Sequence, residues 1–205
     1  MKLPEAISLT AEGQYCLSCF ANRIERFSRD NDTYYICRSC GAVAERSLVV
    51  DNDIVWWVDD DRTYWHESVG VVVVDEKKRI LCLFRRIFPF AYAIPAGHLD
   101  RGESPEFAAR RELQEETGIN VLQDQKLEHL VDIDIPNDSC RRGSDHHRWH
   151  LFRYKLDHEP NIILSDEAAS MRWCTIFELK DLKLLTFPLE VILEKFGPSL
   201  IGQED

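Results

Sequence analysis

The sequence predicts an α/β protein in which a sandwich with a mixed sheet follows a small β-rich module. Three observations predict this architecture. Two Cys-x-x-Cys pairs lie close together near the start of the chain, short apolar runs joined by polar turns follow, and one highly charged helical segment lies between these strand-like runs. The corresponding boundaries are residues 1–50 for the small module, 51–67 for a connection and 68–205 for the larger domain.

The composition is that of a globular protein. The chain has 205 residues, of which 44% are hydrophobic and 30% are charged, enough for one domain and a small module. Its net charge of −11 argues against passive electrostatic adhesion to nucleic acid or to an anionic membrane. The start of the chain lacks a signal-peptide pattern, and the longest apolar run, Val69 to Val74, is too short to span a bilayer. We therefore expect a cytoplasmic protein without a membrane partner.

The cysteine spacing predicts a structural zinc site in the small module. Two thiolate pairs joined by a hairpin supply the four ligands of a closed tetrahedral zinc site, and metal binding then contributes the folding free energy of a module with few large apolar side chains. Disulfides are the alternative but are disfavoured in a cytoplasmic chain, and a redox motif needs only one pair. The four predicted ligands are Cys16, Cys19, Cys37 and Cys40.

The connection, residues 51–67, combines acidic and aromatic residues. Its charges suit an exposed segment, whereas Trp56, Trp57 and Trp65 suit packing of the small module against the larger one. Base stacking is the alternative role for these rings.

The larger domain starts with a predicted hairpin, whose strands flank the polar turn Asp75 to Lys78. A helix follows Ser104, a predicted N-cap, with Pro105 at its first position and Gly118 as the residue that ends it. Further strands are predicted in YAIPAG, KLEHLVDIDI, HRWHLFRYKL and SMRWCTI, and a closing helix from near Pro188 to Gly197.

Three glutamates of the central helix, Glu112, Glu115 and Glu116, fall within an arc of roughly 100° and repel one another. A solvated acidic face and a divalent-cation site both explain them. The flanking residues favour the cation. Their spacing runs Gly97, five residues, Glu103, seven residues, Arg-Glu-Leu, one residue, Glu-Glu, one residue and Gly-Ile. This spacing matches the Nudix box at every specified position. The region from about Ser68 to Phe196 resembles a Nudix hydrolase domain, an α/β/α sandwich with a mixed sheet.

The resemblance implies a set of site residues. The metal ligands for Mg²⁺ or Mn²⁺ are Glu112, Glu115, Glu116 and the carbonyl of Ala96, and Arg111 pairs with Glu103 to hold the loop to the helix. The general base is Glu167, ahead of Glu112 or Glu115, with Asp166 as the neighbouring late acid.

Two further groups of polar residues lie outside the box. Arg85 and Arg86 end a strand and suit phosphate oxygens. We expect His146, His147 and His150 to be surface and edge-strand residues, because no cysteine or carboxylate at ligand spacing completes a metal site with them and two of them lie on opposite strand faces.

The resemblance also bounds the substrate, a small-molecule nucleotide. A ribbon before a Nudix domain is similar in layout to NADH pyrophosphatases, but their Ser-Gln-Pro-Trp motif is missing, as is the motif specific for coenzyme A. Pro136 lies close to, but not at, the distance past the box at which ADP-ribose-cleaving members carry a proline. ADP-ribose or a related dinucleotide (NADH, FAD) is therefore expected. The alternatives are an enzyme that removes caps from RNA 5′ ends, a regulatory protein that binds partners through the ribbon, and a Nudix isomerase. Homodimers are common in the family, so the resemblance allows a homodimer, although no feature of the sequence requires one.

Overall fold

The structure is a computed structural model that describes residues 1–5, 7, 10, 12–30, 32–122, 124–157 and 160–202. Residues 203–205, the end of the larger predicted domain, lie outside the described part of the chain. Among the described helices, none combines the length and the apolar character that crossing a membrane requires.

The described residues of the small module form five short strands. They are β1 (Gly13–Tyr15), β2 (Ile24–Arg29), β3 (Asp32–Cys37), β4 (Val43–Ala44) and β5 (Leu48–Val50). Strands β2, β3 and β4 form one antiparallel sheet, and β1 pairs with β5 in a second. The first cysteine pair lies in the loop after β1, and the second runs from the last residue of β3 into the loop that follows, which agrees with the predicted β-rich module.

The larger domain is built on one mixed sheet. Its strands are β6 (Trp56–Val58), β7 (Tyr64–Val74), β8 (Ile80–Arg85), β9 (Tyr92–Ala93), β10 (Ala96–His98), β11 (Glu128–Pro136), β12 (His146–Lys155) and β13 (Ala168–Cys174). The main order is β11-β12-β7-β8-β13, with β6 and β10 also paired to β7 and β9 to β8. Strands β12 and β7 run parallel, whereas the other pairs are antiparallel, so the predicted mixed sheet is confirmed.

Helices cover both faces of this sheet. Val69, Val71 and Val73 of β7 pack in one core with helix α1 (Pro105–Thr117). Val72 and Val74 alternate to the other face. There they meet helices α2 (Ile176–Asp181) and α3 (Phe187–Phe196), which a 3₁₀ helix (Gly197–Ile201) follows. The α/β/α sandwich is therefore confirmed.

The helix signals read from the sequence appear at the expected residues. The Ser104 side chain accepts a hydrogen bond from the Phe107 amide at 3.2 Å, and Gly118 ends α1 in the left-handed region with φ of 73°. Helix α2 was not predicted, although Thr175 and Glu178 form a reciprocal capping box that was visible in the sequence. Six residues are too few to show a clear helical period.

The segment 51–67 is more ordered than the predicted exposed connection. It supplies β6 and the first four residues of β7 to the main sheet, and Tyr64 is fully buried. Trp56 packs with Tyr64 in a core that includes Leu48 and Val50 of the small module. Trp57 and Trp65 instead stack on each other across β6 and β7, with ring centroids 5.7 Å apart. Trp56 thus lies at the module interface that the sequence predicted, and the other two rings lie on the sheet.

Candidate active site and metal centres

The loop before α1 approaches the helix closely because Gly97 has no side chain. A Cβ atom at this position would overlap the carboxylate of Glu112. Gly102, later in the same loop, has φ of 88°, a conformation that favours glycine. The Glu112 carboxylate is therefore held directly against the backbone of the loop.

Arg111 links this loop to the helix. Its guanidinium donates to both carboxylate oxygens of Glu103, at 2.8 and 2.9 Å, and to the carbonyl of His98 at 3.2 Å. The ion pair expected between Arg111 and Glu103 is present. These hydrogen bonds from Arg111 lower the pKa of Glu103 and keep it ionised.

The same guanidinium also reaches the acidic face of the helix. Arg111 Nη1 lies 2.6 Å from Glu112 Oε1 and 3.3 Å from Glu115 Oε2. One cation therefore offsets part of the repulsion between these two carboxylates.

Two of the three helix glutamates are partly buried, and the Glu112 side chain is 13% exposed. Burial raises the pKa of Glu112, against the opposing effect of Arg111. Burial also raises the pKa of Glu116 to about 8. The neighbouring acids raise this pKa further, whereas Arg85 and the Ala96 amide lower it. The Glu116 carboxylate accepts from the Ala96 amide at 2.9 Å. Partly buried acids with no full set of positive partners suit a divalent cation, since it supplies the missing charge. Glu115 differs, because its side chain is 60% exposed.

A cleft of about 540 Å³ opens over these acids. Its wall includes Ala96, Glu112, Glu115, Glu116, Arg85 and Glu167. Most of the residues predicted for the site therefore share one cavity. Arg86 and Asp166 are exposed and are not part of this lining. Arg85 and Arg86 differ because consecutive residues at the end of a strand point in opposite directions.

Glu167 lies at the cavity, where it contacts an arginine that the sequence did not single out. Arg141 Nη2 is 3.3 Å from Glu167 Oε1, and both residues line the cleft. Arg141 belongs to the segment between β11 and β12. No local pattern marks this arginine in the sequence, since its approach to Glu167 depends on the sheet order.

His147 was wrongly expected to be a surface residue. Strand β12 lies between β11 and β7, so it is not an edge strand, and the His147 side chain is 2% exposed. Parallel pairing places it beside His66. His150, on the opposite face as expected, is also buried and contacts Glu67 and Asp132 at 3.0 and 2.8 Å. His146 is partly exposed.

His147 is one member of a compact cluster that also contains His66, His98 and Cys140. One possible ligand atom from each of the four lies within 4.8 Å of the others. We expected no cysteine to complete a metal site with these histidines. This expectation is wrong, because the turn before β12 brings Cys140 close to His147. His66 and His98 come from distant strands, and nothing in the sequence indicates that they join this cluster.

The four cysteines of the small module also converge. The Sγ atoms of Cys16 and Cys40 are 3.7 Å apart, as are those of Cys19 and Cys37. Tetrahedral coordination with metal–sulfur bonds of about 2.3 Å separates sulfurs by about 3.8 Å. Both pairs are far too distant for disulfides, and all four thiols are free. The geometry fits the predicted four-thiolate site.

The two cysteine loops repeat the same backbone hydrogen bonds. The Ser18 and Ser39 amides donate to the sulfurs of Cys16 and Cys37 at 3.3 and 3.4 Å. The hydrogen bond from the Cys40 amide has the largest effect on the pKa of Cys37. Burial opposes it, but the Ser39 amide acts with it, and together the two amides lower this pKa to about 6. Amides directed at sulfur stabilise thiolates, the form in which cysteine binds metal.

Comparison with known proteins agrees with this site. The sequence profile of the NUDIX domain matches residues 64–196. A region of 110 residues is 32% identical to Nudix hydrolase 26, chloroplastic, of Arabidopsis thaliana, and the match covers 48% of this chain and 51% of the plant protein. The chain thus spans about half the length of that relative. A region of 119 residues is 32% identical to an RNA pyrophosphohydrolase of Cereibacter sphaeroides (strain KD131), covering 53% of this chain and 74% of the relative.

The fold is shared with solved Nudix structures. One is a bifunctional NMN adenylyltransferase/ADP ribose pyrophosphatase from Francisella tularensis, complexed with AMP and a Mn ion. It is 26% identical, has a TM-score of 0.50, and the match covers 63% of this chain and 41% of that one. With a profile match over more than half of its length and the box residues gathered at one cleft, the chain belongs to the NUDIX domain family, whose hydrolases act on pyrophosphate bonds.

Proposed function

We propose that this protein is a Mg²⁺-dependent pyrophosphohydrolase that cleaves a nucleoside diphosphate linked to another moiety, with ADP-ribose or a related dinucleotide (NADH, FAD) as the preferred substrate. The observation that carries the proposal is that Glu112 and Glu116, both partly buried, line one cleft together with Arg85. A binding protein has no need to bury mutually repelling acids beside an open cavity.

The acids would hold the cation, and the basic residues would hold the phosphates. Glu112, Glu115, Glu116 and the Ala96 carbonyl offer the oxygen ligands that Mg²⁺ or Mn²⁺ prefers. When bound, such an ion neutralises phosphate oxygens and makes a coordinated water more acidic. Arg85 has a buried Nε with no hydrogen-bond partner in the described part of the chain. This nitrogen is thus available to donate to a phosphate oxygen.

Glu167 is our choice for the general base. Its side chain lies at the cleft and is 47% exposed, so a water molecule can reach it. The Arg141 contact fixes the direction of its carboxylate. Glu112 is the weaker choice because Arg111 holds one of its oxygens, and Glu115 remains the other alternative.

We propose in addition that Zn²⁺ bound by Cys16, Cys19, Cys37 and Cys40 stabilises the small module, a zinc ribbon. The ribbon also lies beside the active-site cleft. Arg46 packs over the Phe88 ring at 5.6 Å, in the same loop as the cleft-lining residues Ile87 and Pro89. This position supports a ribbon that borders the substrate.

The second candidate is hydrolysis at RNA 5′ ends. The similarity to an RNA pyrophosphohydrolase favours it, and the ribbon beside the cleft offers a surface for additional nucleotides. The net charge of −11 counts against it.

A substrate panel tests these proposals. The protein is incubated with Mg²⁺ and ADP-ribose, NADH, FAD, dinucleoside polyphosphates, nucleoside triphosphates, and capped or triphosphorylated RNA, and the products are separated by chromatography. We expect the highest kcat/KM with ADP-ribose or a dinucleotide, and loss of that activity in Glu112→Gln. A preference for RNA would select the second candidate, and inactivity on the whole panel would contradict both.

A further inference from the structure

Three strands and one turn bring four metal-binding side chains to a single point beside the cleft. His66 lies on β7, His98 ends β10, His147 is near the start of β12, and Cys140 lies in the turn before β12. The imidazole rings approach one another with centroids 4.9 to 5.7 Å apart. His66 and His147 are buried, and the other two side chains are partly buried. The cluster is thus shielded from solvent on most sides.

The distances suit tetrahedral coordination. Cys140 Sγ lies 3.6 Å from His66 Nδ1. Zinc bonds of about 2.3 Å to sulfur and about 2.0–2.1 Å to nitrogen place these two ligand atoms about 3.6 Å apart in a tetrahedron. Three imidazoles and one thiolate form a complete ligand set of the type that zinc accepts.

Hydrogen bonding within the protein does not satisfy these rings. His98 Nε2 is buried and has no partner in the described part of the chain. Leaving a buried polar atom without a partner destabilises the fold. Such an atom within a cluster of possible metal ligands is unusual in a stable fold and indicates that a group is bound there.

His147 has the outer contacts that are typical of a metal ligand. Its Nδ1 lies 3.0 Å from the Asp138 carbonyl and 3.1 Å from the Asp138 carboxylate. Asp138 is itself buried and accepts from the Trp149 indole at 2.8 Å. Metal-bound histidines commonly donate their second nitrogen to such a carboxylate, which fixes the ring and leaves the other nitrogen for the metal.

We infer that His66, His98, Cys140 and His147 bind a second zinc ion, separate from the ribbon site and from the Nudix box. Four protein ligands fill a tetrahedron, so this zinc is structural and has no open position for substrate. It cross-links β7 and β10 to the turn that carries Arg141. It also holds the backbone of His98, whose carbonyl accepts from Arg111. The ion therefore positions both the Glu103–Arg111 pair and Arg141 at the cleft. This inference does not depend on the proposed substrate.

Metal analysis of the full-length protein tests the second site. The protein is produced with zinc in the medium, purified without chelator and washed with excess Mg²⁺ so that weakly held zinc leaves the acidic box. We expect two zinc ions per chain. X-ray absorption at the zinc edge is expected to show nitrogen together with sulfur in the average coordination shell. One zinc per chain with sulfur-only coordination would overturn the inference, and this result needs no variant to fold.

Variants then assign each ion. Cys140→Ser and His147→Gln are each expected to reduce the content from two zinc ions to one, with sulfur-only coordination remaining. Cys37→Ser is expected to remove the other ion and to leave a shell dominated by nitrogen. His146→Gln, which alters the adjacent histidine outside the cluster, should retain both ions. Retention of both ions in folded Cys140→Ser and His147→Gln would contradict the assignment.

Discussion

Arg111 shows at the residue scale how one side chain prepares a site for metal. It pairs with Glu103 on the loop and reaches Glu112 and Glu115 on the helix. Glu116 receives no such pairing from Arg111, and its carboxylate is buried with a single amide donor among the described hydrogen bonds. Of the three helix glutamates, Glu116 is therefore the one that Arg111 leaves unpaired.

Replacing Glu116 with Gln should separate stability from activity. An amide keeps an acceptor for the Ala96 amide and is less costly to bury than a carboxylate. We expect the metal-free melting temperature to be unchanged or higher, the Mg²⁺-dependent stabilisation to be smaller and turnover to fall by roughly two orders of magnitude or more. Differential scanning fluorimetry with and without Mg²⁺, combined with product assays, provides the measurement.

Glu106→Gln is the matched control for this change. Glu106 is on the same helix, is 55% exposed and pairs with Arg110. It should retain near-wild-type turnover and Mg²⁺ stabilisation. Equal, near-wild-type behaviour of the Glu116 and Glu106 variants would mean that the acidic face is only solvated.

Two glycines of the box loop should respond differently to alanine. In Gly97→Ala the new methyl group displaces the Glu112 carboxylate, so we expect turnover to fall about a hundredfold or more. In Gly102→Ala no atom lies within 4 Å of the methyl group, but φ of 88° is unfavourable for alanine. That variant should lose about 1–2 kcal/mol of stability and keep most of its activity. Chemical denaturation and kinetics on both variants check the contrast, which fails if Gly97→Ala is fully active.

At the scale of elements, the turn between β11 and β12 joins the ribbon to the Nudix sheet. The Ser47 and Val49 amides donate to the carbonyls of Arg141 and Arg142 at 3.2 and 2.9 Å. Gly143 packs so closely on Leu48 that a side chain would not fit. One turn thus contacts the ribbon and places Arg141 at the cleft.

Asp145 secures the same turn through charge, and its effect should depend on pH. Burial opposes its ionisation, but hydrogen bonds from Ser139, the N-terminal ammonium and Arg46 outweigh burial and lower the pKa of Asp145 to about 2 from an ordinary value of 3.8. Since the folded-state pKa is the lower one, this stabilisation is complete above about pH 4–5 and is lost as the pH falls toward 2. Asp145→Asn should therefore cost about 2 kcal/mol at neutral pH.

Urea unfolding of the wild type and of Asp145→Asn measures this effect. The difference in unfolding free energy should be the same at pH 7 and pH 5 and should shrink in acid below about pH 4. A difference that grows as the pH falls would contradict the assigned direction of the pKa shift.

At the scale of the whole molecule, the ribbon and the Nudix domain share a core. Leu48 and Val50 of the ribbon pack with Tyr64 at the start of β7, and the Tyr64 hydroxyl donates to the Val49 carbonyl at 2.9 Å. The boundaries at residues 50 and 67 therefore separate segments with different sequence patterns that share a core. We propose that the ribbon and the Nudix domain are nevertheless separate folding units.

Removing the ribbon metal tests this division. In Cys37→Ser we expect loss of the ribbon zinc and of amide-exchange protection in β2 to β4, because metal binding supplies much of the folding free energy of the ribbon. The Nudix sheet should stay folded with a lower melting temperature, and Trp56 should become more exposed as its ribbon contacts are lost. Hydrogen exchange read by mass spectrometry and tryptophan fluorescence measure these changes. Simultaneous loss of protection in the ribbon and in β7 would show a single folding unit.

Features that depend on local spacing could be predicted from the sequence alone. The two Cys-x-x-Cys pairs, Ser104 and Gly118 as helix ends, and the box around Arg111 each join residues that are close in the sequence, so residue spacing is sufficient to predict their geometry. The tertiary structure decided which distant segments meet. Parallel pairing of β12 with β7 placed His147 beside His66 and buried both. Strand order also brought Arg141 to Glu167. Local patterns carry no information about such pairings, since they depend on the burial of the complete sheet between its helices.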